Sequence, residues 1–202
     1  MQHTQPEPPA VDLMELVRLF HSDESELGFF RACLTAEEIP QPRRELLNHE
    51  AHMTVTVEAH HGCPVDVRVA RTVLGPGVDD PLGPQGSNLD IAATGRWYAR
   101  EITLHRQSDQ RPVQYGIVRL NIDALAPEVW HEIHSEKIPL GRVLISHQVL
   151  REVELCGLWE VVAGHSLASL LEMSVGEVTY GRTARIFCDY VPAIELLEIV
   201  TP

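Results

Sequence analysis

Two periodicities divide this chain. Apolar residues recur at helical spacing in "VDLMELVRLFH" (11–21), where Asp12 stands near the start as a capping residue. The same spacing predicts one helix over 43–62, ended by Gly62 and Pro64. Between them "GFFRACL" (28–34) is apolar and runs into the breaker "IPQPRRE". From residue 65 alternation takes over. "VDVRVARTVL" (65–74) reads as a strand, and the segments 96–106 and 111–122, flanking the polar "QSDQ", read as an antiparallel hairpin. "APEVWHEIHSEK" (126–137) predicts a short helix with Pro127 at its start, and "SLASLLEM" (166–173) a helix or turn. "LREVELCGLWEVV" is strand-like, and the last strands, 177–189 and 192–200, are divided by a turn at Asp189–Tyr190. Residues 75–90, "GPGVDDPLGPQGSNLD", form the longest loop. The sum is α+β: an antiparallel sheet with helices before it and between its hairpins.

Strand parity exposes charges in the wrong place. In "RWYAREITL" (96–104) Arg100 shares a face with Tyr98, Ile102 and Leu104. In "PAIELLEIV" Glu198 shares a face with Ile194, Leu196 and Val200, while Glu195 lies opposite with Leu197 and Ile199. An unpaired charge in an apolar interior costs several kcal/mol, so each needs a partner or a reason. One reading is a buried Arg–Glu pair. The other is a pocket in which the planar fork of an arginine receives an anionic ligand and a carboxylate works at its far end. Periodicity leaves both open.

Composition narrows the partners. The chain has 202 residues and a net charge of −13, which argues against a basic nucleic-acid face and against docking on an anionic membrane. The N-terminus, proline-rich and expected to be disordered over 1–10, carries no signal-peptide pattern, and no apolar run reaches a transmembrane length. Cys33, Cys63, Cys156 and Cys188 are widely spaced, as in a reducing cytoplasm, where the protein is expected as a monomer or small homo-oligomer. The histidine pairs His49/His52 and His131/His134 lack the spacing and companions of a metal site. "GPGVDDPLGPQG" lacks the Gly-Lys-Ser/Thr of a phosphate loop, and "GHSLA" (164–168) is no nucleophile elbow.

"RWYAREITL", the hairpin, "ALAPEVWHEI", "IPLGRVL" and the terminal "YGRTARIF…VPAIELLEIVTP" occur in an order and spacing that resembles the chorismate lyase family. The likeness covers roughly residues 43–202 and leaves 11–42 as a separate N-terminal helical segment. It implies a single antiparallel sheet with helical flaps closing over a buried ligand, no cofactor or metal, and elimination of pyruvate from chorismate to give a hydroxybenzoate, a quinone precursor. By position, Arg100 matches the arginine that holds the product carboxylate. Met53 and Leu140 match flap positions whose backbone amides close on the same end. Glu198 matches the family's acid, with Glu195 as the alternative, because "PAIELLE" carries one residue too many and implies a bulge. Where the family has a further arginine this chain has Ile117; Arg119, two positions on and on the same strand face, is the candidate substitute. The same fold without chemistry, as a sensor or carrier of an aromatic carboxylate, is the alternative function.

Overall fold

A computed structural model of the chain describes residues 11–75, 96–149 and 151–202. The expected disordered tail at 1–10 lies outside the described residues, as does the long loop apart from Gly75. The fold is α+β and built on one antiparallel sheet of seven strands: β1 (Gly28–Ala32), β2 (Val65–Leu74), β3 (Trp97–Arg106), β4 (Pro112–Asn121), β5 (Arg151–Ala163), β6 (Val178–Cys188) and β7 (Val191–Val200). Their order is β1-β5-β6-β7-β4-β3-β2, so the last strand of the chain inserts at the centre. The β6–β7 turn has Asp189 at φ 50° and Tyr190 at φ 67°, the left-handed pair that suits the twist of a tight hairpin.

Among the described residues six α-helices cover the sheet: α1 (Leu13–Arg18), α2 (Arg43–Leu47), α3 (Met53–His61), α4 (Pro127–His134), α5 (Leu140–Ser146) and α6 (His165–Leu171). Asp12 caps α1, its Oδ1 accepting from the Met14 and Glu15 amides at 2.9 and 3.0 Å. Leu13, Leu16 and Val17 turn inward with α6 and the odd-numbered residues of β3, β4 and β7 to form the core of one face, here the back. Each such side chain stabilises the fold by about 1.5–3 kcal/mol on burial. Residues 11–42 also supply β1, which pairs with β5, so this segment contains an edge strand of the same sheet.

The single helix expected over 43–62 is two helices, α2 and α3. Its middle is unwound because the carbonyls of Leu47, His49 and Ala51 accept hydrogen bonds from Arg182, a residue of β6. On the front face the core falls into two parts. One gathers α4 and α5 over Tyr98, Val118, Leu196 and Ile186; the other gathers α2 and α3 over Ile102, Leu104, Tyr180 and Val200. A cavity lies between them. No helix among the described residues is long and apolar enough to cross a membrane.

Candidate functional site

The floor of the cavity follows from register. Ile102, Gly116, Glu198 and Arg182 stand abreast on β3, β4, β7 and β6, and the next row places Arg100 beside Val118 and Leu196. Gly116 is the gap in the first row: a Cβ there would meet Ile102 Cγ1 at 3.4 Å, ordinary contact, so the missing side chain translates directly into space. The roof is made where α3 and α5 begin. Gly141 lets them approach, since a Cβ on it would lie 3.2 Å from Thr54 Oγ1 and 3.3 Å from His52 Cβ. The cavity measures about 40 Å³, on a scale where one water needs roughly 10–15 Å³. As it stands the space is sized for a few water molecules.

Arg100 lies in this cavity, only 1% exposed. Among the described residues no carboxylate comes within 4.0 Å of it. Its Nη1 donates to Ile133 O at 3.4 Å, a long bond, and its Nε has no acceptor among the described residues. Burial pulls the guanidinium below its ordinary pKa, with Tyr98 and Glu136 opposing. Met53 and Leu140 line the same cavity, and as first residues of their helices their N–H groups have no intrahelical acceptor. The first residues of two helices and a guanidinium whose Nε is unsatisfied among the described residues thus line one small volume.

Glu198 lines the cavity too, on a strand two spacings from Arg100, about 10 Å across the sheet. Its neighbours are not only apolar. Arg182 Nε donates to Glu198 Oε2 at 2.7 Å, and Gln114 Nε2 to Oε1 at 3.4 Å. Gln114 Oε1 is buried without a donor among the described residues. The glutamate thus has a structural partner, while Arg100 has no carboxylate within 4.0 Å among the described residues.

Glu195 and Arg119 lie on the other face. Arg119 donates through Nε and Nη2 to Glu195 Oε2 at 2.8 and 2.5 Å and through Nη1 to Glu15 Oε1 at 2.5 Å. The expectation that Arg119 substitutes at Ile117 fails geometrically, because both residues point to the back of β4, away from the cavity. The implied bulge is present: register passes from Phe187↔Pro192 to Ile186↔Ile194, skipping Ala193, and Glu198 emerges on the front. Sequence reasoning missed Arg182, Gln114, Gly116 and His52. Parity would have found the first, since Arg182 shares a face with Tyr180, Ala184 and Ile186. His52 lines the cavity and meets Arg151 from outside, and burial followed by Arg151 and Arg182 lowers its pKa to about 4.

No protein-family model matches the chain, and no curated protein does. Solved structures resemble it remotely. The C-terminal domain of the histidine utilization repressor from Pseudomonas syringae pv. tomato is 14% identical over 67% of this chain and 90% of its own, with a TM-score of 0.46. The effector domain of PhnF from Mycobacterium smegmatis is 13% identical over 74% of this chain and 88% of its own, with a TM-score of 0.49. These likenesses are too distant to carry a residue or a role across.

Proposed function

We propose that this protein binds a small aromatic carboxylate in the cavity under α3 and α5, with Arg100 as its anchor. The observation that carries the reading is the Arg100 guanidinium, buried, without a carboxylate partner and with an unsatisfied Nε. Such a charge is costly unless a ligand completes it, and a carboxylate matches its planar fork. Isothermal titration with 4-hydroxybenzoate tests this. Binding that is lost in Arg100→Gln supports the anchor; equal binding by that variant overturns it.

A finer reading, pyruvate elimination from chorismate, is favoured by the sequence resemblance and by Glu198 at the far end of the same cavity. In that reaction the C3–O bond of the ring breaks, the C4 proton is lost, and the departing enolpyruvate takes a proton at its methylene. The products are 4-hydroxybenzoate and pyruvate, and the balance needs no oxidant or co-reactant. Arg100 would hold the ring carboxylate with the Met53 and Leu140 amides beside it. Glu198, oriented by Arg182, would stand at the hydroxyl side to accept the proton. Incubation with chorismate and a pyruvate assay separates the two readings. Pyruvate released at a rate that falls at least a hundredfold in Glu198→Gln makes the protein a lyase; tight product binding without pyruvate makes it a sensor or carrier.

A further inference from the structure

The two edges of the sheet are finished differently. At β2 the register passes from Val69↔Ile102 to Arg71↔Glu101, so a bulge falls at Ala70, and Asp66, Arg68 and Arg71 put charges along the strand. Bulges and charges keep a sheet edge from pairing with another chain. The strand β1 is protected by neither. Its register with β5 runs without a shift from Gly28↔Ala163 to Ala32↔Trp159. Its single charge, Arg31, is already paired with Glu38 and Glu160, at 2.9 Å each.

Hydrogen-bond parity tells which groups this edge offers. Cys33 N donates to Leu158 O at 2.8 Å and Gly164 N to Leu27 O at 2.9 Å, so the odd-numbered residues turn their backbone groups to β5. Gly28, Phe30 and Ala32 therefore turn theirs outward. Among the described residues those N–H and C=O groups have no partner. The side chains at the edge are largely apolar. Phe29 is 67% exposed on the front face, and Phe30 lies half-buried against the back core. A groove of about 550 Å³ lies against the edge, lined by Met14 together with both phenylalanines.

We propose that β1 is the contact between two copies of this chain, paired antiparallel about a two-fold axis at Phe30. The outward residues Gly28, Phe30 and Ala32 are evenly placed about the middle of the strand. An inverted copy therefore sets Phe30 against the partner's Phe30 and Gly28 against the partner's Ala32, and every outward N–H meets an outward C=O. The same register sets Phe29 opposite the partner's Arg31 on the front face, a ring against a guanidinium. On the back it brings the two Phe30 rings together beside the groove. No residue of the strand meets a like charge. The axis stands normal to the sheet, so the two front faces, each with its cavity, lie on the same side of one continuous sheet. Nothing in the pairing depends on what fills the cavity.

Sedimentation equilibrium of the full chain tests it, in about 0.3 M salt to screen the repulsion between copies of net charge −13. A monomer–dimer equilibrium is expected, with a dissociation constant on the order of 10 μM for so short a seam. Ala32→Pro removes an outward N–H that the monomer does not use and sets a ring at the seam. It is expected to weaken dimerisation at least about tenfold while leaving the circular dichroism of the dilute protein unchanged. Phe30→Cys supplies an independent reading. Residues opposed in such a pair lie about 5.5 Å apart at Cα, within reach of a disulfide. Mild oxidation is therefore expected to join the two substituted positions, and peptide mapping distinguishes this link from any through Cys33, Cys63 or Cys156. A protein that stays monomeric at about 0.5 mM overturns the proposal. So does a dimer that a folded Ala32→Pro leaves unchanged, or cross-linking of Phe30→Cys through the native cysteines alone.

Discussion

Arg100 and Arg119 are two residues of one hairpin, 1% and 2% exposed, and they belong to opposite worlds. Arg119, on the back face, is saturated by Glu195 and Glu15 and closes α1 onto the sheet. Arg100, on the front, lines the cavity and among the described residues has no carboxylate within 4.0 Å. The second polar cluster on the back repeats the lesson: Glu101 accepts from Arg71 Nε at 2.6 Å and Tyr115 Oη at 2.7 Å and meets His21 Nε2 at 2.7 Å. Burial of a charge therefore does not mark a site in this protein. In the proposed function it is the missing carboxylate partner that singles out Arg100.

The sharpest way to break this contrast is to remove the two arginines in turn. Arg119→Leu strands Glu195 in the interior and is expected to cost about 3–5 kcal/mol in urea unfolding. Arg100→Met, which strands no acid, is expected to leave stability unchanged or raise it while abolishing ligand binding. A loss in Arg100→Met as large as that in Arg119→Leu would erase the distinction between the faces.

Acid titration probes the next largest effect. Burial raises the Glu101 pKa, but the hydrogen bonds from His21, Arg71 and Tyr115 outweigh it and hold the group at about 2, below the ordinary 4.5. A depressed carboxylate contributes stability above its unfolded pKa. Roughly 3 kcal/mol is then lost as pH falls from 4.5 towards 2. Glu101→Gln is expected to flatten that part of the stability profile.

The front face titrates earlier and more weakly. His52 binds its proton at about 4 in the folded protein against 6.5 unfolded. The unfolded chain therefore takes up protons first, and stability falls as pH drops from 6.5 towards 4. Because the ring is partly solvated, about 1–2 kcal/mol is expected, removed in His52→Gln. The smallest effect belongs to Gly116. Gly116→Ala is expected to gain about 0.5 kcal/mol from the strand's preference for a side chain, yet to weaken ligand binding by filling the floor.

Much of this was legible in the sequence because strand parity is a local property. The faces of Arg100, Glu198 and Glu195 could be assigned from nine-residue windows, and the same arithmetic applied to "YGRTARIF" exposes Arg182. What stayed hidden depended on distant partners. Residues 43–62 have the spacing of one helix, and only Arg182, some 130 positions away in the chain, withdraws the carbonyls that would have continued it. Likewise no window around β7 reveals that it lies between β4 and β6. Nor could any window show that Arg119 would find Glu15 and Glu195, or that Arg100 would find no acid.

The clasp made by Arg182 has a kinetic consequence. One side chain rooted in the floor carries the carbonyls of Leu47, His49 and Ala51, the last of which lines the cavity, so the segment 47–51 is expected to let go as a unit. Exchange of the proposed ligand is then expected to share its rate with the release of this segment. Chemically different occupants would show similar residence times even where their affinities differ, with arrival rates absorbing the difference.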